Sequence, residues 1–77
     1  MNRVLLFANL KEKCGSSRLE VEAAGKTVRE LKRYLEETMA LDQLDSVLVA
    51  VNEEFATDDC IIREGDEIAL IPPVSGG

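Results

Sequence analysis

Residues 63–73 read Arg63-Glu64-Gly65-Asp66-Glu67-Ile68-Ala69-Leu70-Ile71-Pro72-Pro73 and carry the clearest structural signal in the chain. The middle of this segment, Glu67 to Ile71, is a short, mainly apolar run, which is typical of a buried strand. Gly65 suits a turn that needs a positive φ, and the two prolines cannot donate to a sheet ladder. The segment therefore predicts a turn over 63–66, a last strand over 67–71 and a sharp end to that strand.

A similar apolar run lies near the start of the chain. Arg3 to Phe7 is short, β-branched and aromatic, so it predicts a first strand and not a helix. The polar stretch after it favours one helical turn over Leu10–Cys14, followed by a turn at Gly15. Arg18 to Glu22 alternates strictly between polar and apolar residues, which predicts a second strand, antiparallel to the first.

A helix start is indicated at residues 27–30. Thr27 and Glu30 have the spacing of a capping box, in which each side chain accepts a hydrogen bond from a backbone N–H at the helix start. We expect this helix to run from Thr27 to about Met39. Its apolar stripe consists of Val28, Leu31, Leu35 and, less regularly, Met39. Its solvent side is expected to carry two i,i+4 ion pairs, Lys32–Glu36 and Arg33–Glu37.

The second half of the chain adds further strands. Val47 to Val51 is a nearly continuous apolar run, which predicts a central strand covered on both faces. Asn52-Glu53-Glu54 predicts a turn, and Phe55-Ala56 a short strand. The element order is then ββαβ(β)β, with the apolar first and last strands side by side in the centre of a mixed sheet. This is the α+β arrangement of the β-grasp, or ubiquitin-like, fold: four to five strands with one main helix on one face.

Length and composition limit the classes of function. A chain of 77 residues fits a single domain, here residues 1–73, with residues 74–77 as a flexible Gly-Gly tail. The absence of histidine excludes the serine triad and the HExxH zinc site. The net charge is −6, and residues 35–77 carry eleven acidic groups against one basic group. This charge disfavours nucleic acid and favours a basic protein partner.

The sequence also indicates a cytoplasmic protein that binds no metal. No apolar run approaches the length of a membrane span, and the start of the chain lacks the apolar core of a signal peptide, so we expect no membrane association. Cys14 and Cys60 are far apart in sequence and are expected to be unpaired, small, buried side chains.

The central strands are apolar on both of their faces. One helix covers only one face of the sheet, so part of the second apolar set, which includes Phe7 and Ile71, should be exposed. An exposed apolar patch on a small acidic protein favours a surface for docking another protein.

The last residues of the sequence carry the functional signal. Pro72-Pro73 stiffens the exit from the sheet, and Gly76-Gly77 has no side chains, which suits insertion into a narrow channel. Four residues, 74–77, span about 13 Å when extended. Together with V-A-V-N, E-G-D-E-I-A and the N-terminal V-L-L-F-A, the tail I-P-P-V-S-G-G resembles the family of small, sulfur-carrier subunits of molybdopterin synthase.

That resemblance implies a sulfur carrier with no catalytic activity of its own. Gly77 would be adenylated by an E1-like enzyme, converted to a thiocarboxylate, and would then donate sulfur to cyclic pyranopterin monophosphate in the active site of a large subunit. The family implies a heterotetramer of two small and two large subunits. This sequence has no phosphate-binding GxxxxGK[ST] loop, so the activating partner would bind the ATP, and the chain itself would bind no cofactor.

The resemblance also implies site residues. Gly77 would carry the sulfur, and Gly76 would thread the channel. The docking face would include Phe7, Phe55 and Ile71, and Lys11 would pair with a carboxylate of the partner. The tail residues Pro73, Val74 and Ser75 would complete the contact with the partner.

Three other functions remain open at this point. The thiamine-pathway sulfur carrier also has this fold and a Gly-Gly end, but it usually lacks the Pro-Pro-Val-Ser sequence. A protein modifier would be conjugated to lysines through the same diglycine. A simple interaction module of this fold would be indifferent to the loss of Gly77.

Overall fold

The computed structural model describes residues 1–39, 41 and 44–72. The elements in this part of the chain are β1 Asn2–Leu6, α1 Ala8–Cys14, β2 Arg18–Val21, α2 Val28–Thr38, a short 3₁₀ helix Leu44–Ser46, β3 Leu48–Val51, β4 Glu54–Ala56 and β5 Glu67–Ile71. They form one mixed sheet in the order β2-β1-β5-β3-β4. Strands β1 and β5 are parallel neighbours, and the other neighbours are antiparallel. The predicted β-grasp fold is confirmed, with the first and last strands adjacent.

The region after β1 is more helical than the sequence indicates. The structure has a helix over 8–14 where only one turn over Leu10–Cys14 is predicted. The difference arises at Ala8, whose φ of 52° turns the chain immediately after the extended Phe7. A left-handed alanine costs about 1–2 kcal/mol, which sequence patterns do not anticipate. The predicted turn at Gly15 is confirmed, with a φ of 75°.

The start of α2 is held by the predicted capping box. The Thr27 N–H donates to the Glu30 carboxylate at 2.8 Å, and the Glu30 N–H donates to the Thr27 hydroxyl at 3.2 Å. The first of these hydrogen bonds is the main reason why the pKa of Glu30 lies below its usual value.

The prediction for the solvent side of α2 is wrong for Lys32 and for both ion pairs. The side chain of Lys32 is only 7% exposed, and its Nζ pairs with the carboxylate of Asp58 at 3.1 Å. Of the ion pairs among the described residues, none is Lys32–Glu36 or Arg33–Glu37. The loop between β4 and β5 folds over the start of α2, where its carbonyls accept hydrogen bonds from the N–H groups of Val28 and Arg29. This loop supplies Asp58 as a closer partner for Lys32.

The core lies between one face of the sheet and α2. It contains Val4 and Leu6 of β1, Ile68 and Leu70 of β5, Val49 of β3, Val28, Leu31 and Leu35 of α2, and Leu10 of α1, all less than 4% exposed. The predicted stripe of α2 is therefore confirmed for its first three members, whereas Met39 is partly exposed at the end of the helix. The even-numbered residues of β1 and β5 point into this core, which directs the odd-numbered residues to the opposite face.

A second correction concerns β3. The apolar run over 47–51 predicts a strand covered on both faces, but Leu48 is 53% exposed. Its neighbour Val49 points into the core, and Leu48 points to the face that the helix does not cover. An apolar residue on this strand therefore remains available for contact with another molecule.

Asn2 is a buried polar residue that joins β1 to two loops. Its side-chain amide donates to the carbonyl oxygens of Arg63 at 2.7 Å and Asp66 at 3.0 Å. Its Oδ1 accepts from the Ala23 N–H at 3.2 Å. All three of these hydrogen bonds are made to backbone groups, which explains why an asparagine is accommodated at 1% exposure.

Replacing Asn2 by Ala is expected to lower the free energy of unfolding by about 2–3 kcal/mol, because buried peptide groups lose their partners. Chemical denaturation measures the effect. Asn9→Ala, at an exposed position of α1, is the matched control and should change stability by less than about 0.5 kcal/mol. Equal effects of the two substitutions would contradict the structural role of Asn2.

The hairpin between β3 and β4 turns at Asn52 and Glu53. Both residues have a positive φ, 52° and 71°, as a type I′ turn requires. Asn52 tolerates this conformation and donates from its side chain to Asp66 at 2.8 Å. Hydrogen bonds from the Arg63 N–H and from Asn52 lower the pKa of Asp66. Glu53 is a less favourable residue at its position, because a type I′ turn prefers glycine there.

Replacing Glu53 by Gly is expected to raise the free energy of unfolding by about 0.5–1 kcal/mol, since glycine adopts a positive φ without steric cost. Thermal and chemical denaturation measure the gain. Glu53→Gln removes the charge but keeps the Cβ, so a similar gain in this variant would assign the effect to electrostatics instead of to the backbone.

Candidate partner-docking face

The face of the sheet opposite the core presents an apolar surface, called here the open face. The pairing of the strands places Leu5, Ala69, Ala50 and Phe55 in one row across β1, β5, β3 and β4. Ile71 and Leu48 pair in the next row. Phe7 is extended and directly follows β1, so it prolongs that strand towards this row. The members of the open face are Leu5, Phe7, Leu48, Ala50, Phe55, Ala69 and Ile71.

The three predicted docking residues all lie on this face. Phe55 is 75% exposed and Phe7 is 46% exposed, while Ile71 is half-buried between its neighbours. Phe7 follows central strand β1 and Phe55 lies on edge strand β4, so the surface extends across four of the strands. An apolar area of this extent is what a protein-docking surface requires.

Lys11 lies beside the open face. It is an exposed residue of α1 and lines a shallow depression of about 460 Å³ together with Leu5, Phe7, Ala8, Ser17 and Arg18. The left-handed turn at Ala8 starts α1 directly after Phe7, and this places Lys11 near Phe7 at the end of β1. The structure therefore brings Lys11 and Phe7 to one site.

The sequence does not indicate Leu48 as a member of the open face, because the run over 47–51 predicts a strand covered on both faces. Leu5 belongs with Phe7 to the second apolar set of β1, as the alternation of the strand predicts, but no docking role is predicted for it. The signal for Leu48 is its register: it is paired with Ile71, which shares its face. That signal requires knowledge of which residues pair, because a shift of one position would turn Leu48 into the core.

The predicted tail residues Pro73, Val74, Ser75, Gly76 and Gly77 lie outside the described residues. The last described residue is Pro72, which follows Ile71 at the end of β5. The described chain therefore ends just after a central strand, beside the Leu48–Ile71 pair of the open face.

An ion pair lies at one end of this face. Arg3 and Glu67, which are paired in the register of β1 and β5, form an ion pair at 3.6 Å. Cys14 and Cys60 are separate, half-buried thiols that pack against the core and not on the open face. Within residues 1–39, 41 and 44–72, no three potential metal ligands of the Cys, Asp or Glu type cluster together.

Comparison with known proteins places the chain in a family. The model of the ThiS family matches residues 4–77. The chain belongs to the ThiS family.

Individual relatives of this ThiS-family chain share most of its length. The molybdopterin synthase sulfur carrier subunit of Arabidopsis thaliana is 37% identical over 97% of this chain and 81% of the relative. The protein of the same name from Escherichia coli K12 is also 37% identical, over the whole of both chains. The crystal structure of SAMP1 from Haloferax volcanii is 32% identical and superposes with a TM-score of 0.76 over 99% of this chain and 98% of that one. The resemblance inferred from the tail motif is confirmed.

None of the helices in the described ranges is both long and apolar enough to cross a bilayer.

Proposed function

We propose that this ThiS-family chain is the sulfur carrier subunit of a molybdopterin synthase. The observation that supports this proposal most strongly is the full-length match, at 37% identity, to the E. coli protein of that name. The open face agrees with it, because a carrier subunit must dock on the subunit that holds the substrate.

The reacting group in this proposal is the carboxyl group of Gly77. A C-terminal carboxylate has a pKa near 3.3–3.7, so it is an anion and a poor electrophile at neutral pH. ATP converts it to an acyl adenylate with release of pyrophosphate, and a hydrosulfide ion from the sulfur donor then displaces AMP and loses its proton to leave a thiocarboxylate. An E1-like partner binds the ATP and holds the Gly77 adenylate until sulfur replaces AMP. This cytoplasmic carrier holds no cofactor of its own.

The thiocarboxylate acts as the nucleophile in the second half of the cycle. Its sulfur is ionised at neutral pH and attacks an electrophilic carbon of cyclic pyranopterin monophosphate without a base from this chain. Transfer of the sulfur breaks the bond between the acyl carbon and sulfur, and addition of water to that carbon restores the Gly77 carboxylate. The carrier therefore delivers the sulfur and must be charged again for each transfer, and it is a non-catalytic subunit.

The docking partner in this proposal is the large subunit of the synthase. The open face packs on it through Phe7, Phe55 and Ile71, and the tail residues Pro73, Val74, Ser75, Gly76 and Gly77 enter its active site. Dimerisation of the large subunit gives a heterotetramer with two carriers.

Intact-mass analysis tests the carrier chemistry. The chain is incubated with the E1-like enzyme, ATP and a sulfur donor, and the C-terminal peptide is then sequenced by mass spectrometry. We expect one oxygen of Gly77 to be replaced by sulfur, and only when ATP is present. Modification of Cys14 or Cys60 in place of Gly77 would contradict the mechanism.

The likeness to SAMP1, the small archaeal modifier protein 1 of H. volcanii, favours protein modification as a second candidate function. In that case the same Gly77 adenylate is captured by a lysine amine of another protein, with formation of an isopeptide bond. Lysines of cellular proteins that carry residues 64–77 of this chain after trypsin cleavage at Arg63, found after expression of the chain and absent after deletion of Gly77, would establish it.

A further inference from the structure

The depression beside Phe7 combines an apolar wall with two cationic side chains. Leu5 and Phe7 supply the apolar part, and Lys11 and Arg18 belong to its rim. Arg18 lies directly opposite Leu5 in the antiparallel pair of β1 and β2, so it shares the open face with Leu5. The two cations come from different elements, α1 and β2, and meet at this one place.

Neither cation is neutralised within the described part of the chain. The ion pairs found there involve the Met1 ammonium with Glu64, Arg3 with Glu67, and Arg29 and Lys32 with Asp58. Lys11 and Arg18 are in none of them, although the protein carries a net charge of −6. Two cations without an internal partner, beside the exposed apolar surface of an acidic protein, are complementary to an external anion.

We propose that this depression binds an internal segment of the docking partner in which an apolar side chain stands next to an acidic one. The apolar side chain packs on Leu5 and Phe7, and the carboxylate lies between Lys11 and Arg18. Arg18 is thereby a recognition residue, because its planar guanidinium accommodates both oxygens of a carboxylate. The depression is shallow and open, which suits an internal segment of a peptide.

This proposal rests on the proposed function for the identity of the partner, the large subunit, but not for the chemistry of the ligand. The apolar wall disfavours a bare phosphate or a nucleic acid backbone, and the acidic second half of the chain repels both. A carboxylate attached to an apolar peptide satisfies both parts of the depression at once.

The first experiment needs no partner protein. The ¹⁵N-labelled full chain is titrated by NMR with the capped dipeptide N-acetyl-leucyl-glutamic acid α-amide, and separately with its uncharged glutamine counterpart. We expect saturable shifts of the Leu5, Phe7, Lys11 and Arg18 amides, with binding of the acidic peptide about fivefold tighter. Arg18→Gln should remove this preference, and Lys13→Gln, which changes the same charge on α1 outside the depression, should keep it. Absence of saturable shifts, or equal binding of the two peptides, would overturn the site.

The second experiment measures the affinity of the same variants for the large subunit. Arg18→Gln is expected to weaken binding about fivefold at ~50 mM salt, and by less than about twofold at ~0.5 M salt, where exposed charges are screened. Lys13→Gln should match the wild type at both salt concentrations. A loss that persists at high salt would mean that Arg18 acts by packing and not by charge.

The two experiments separate the two proposals. If the wild-type chain fails to bind the large subunit while the acidic peptide is preferred, the proposed function fails and the recognition site stands. If the wild-type chain binds and Arg18→Gln binds equally well, the function stands and Arg18 is not the recognition residue for that partner.

Discussion

Deletion of Gly77 is expected to abolish sulfur transfer while leaving the fold intact and the affinity for the large subunit nearly unchanged. Shortening the tail by one residue withdraws the terminal carboxyl by about 3.3 Å, and a displacement of 1 Å at a reacting atom costs roughly 100-fold in rate. The apolar contacts lie on the domain and are not touched by the deletion. Molybdopterin formation and calorimetric binding, measured on the same variants, check both parts.

Two further tail variants sharpen this test. Gly76→Val keeps the length but adds a β-branched side chain, so it should also lose activity if the channel of the partner admits only backbone. Ser75→Ala keeps both the length and the small size, and should retain activity. Near-normal product formation by the Gly77 deletion would reject the carrier function, and loss of both binding and activity would show that the tail carries the interface.

Replacement of Phe7 by Ala is expected to weaken binding to the large subunit by about 2 kcal/mol, which corresponds to roughly 30-fold in affinity. Phe7 is 46% exposed in the free chain, so its removal leaves no cavity in the core and the fold should survive. Calorimetry with the large subunit gives the affinity, and circular dichroism with thermal unfolding reports on the fold.

The matched control is Tyr34→Ala. Tyr34 is an aromatic residue of similar exposure, 40%, but it lies on α2 and not on the open face. This variant should bind like the wild type. If Phe7→Ala unfolds the chain and the remaining folded fraction binds normally, Phe7 belongs to the core, and the docking face has been assigned wrongly.

Local signals in the sequence were sufficient for most of the fold. The capping box at Thr27 and Glu30 forms as predicted, because its two partners are three residues apart and need nothing from the rest of the chain. The last strand has the predicted bounds, 67–71, since Gly65 and the prolines delimit it on both sides. These features depend on short-range sterics and hydrogen bonds, which the order of the residues alone determines.

The candidate site was predicted only in part. The apolar character of both faces of β1 and β5 indicated an exposed docking surface, and Phe7 and Phe55 do lie exposed on the open face. Leu48 and Arg18 were not found, because their positions beside Ile71 and Leu5 follow from strand register. The tail's role rests on its motif, and no described contact bears on it.

The sequence by itself determined the elements, the order in which they occur and the apolar pattern that buries one side of the sheet. Only the tertiary structure decided that Lys32 is buried against Asp58, 26 residues away, and that Asn2 binds a loop more than 60 residues away in the chain. The reason is that a buried polar group needs a hydrogen-bond partner, and the sequence contains several residues that could accept the bond. Which of them lies within hydrogen-bonding distance is decided by how the sheet and helix pack, and that information is spread over the whole chain.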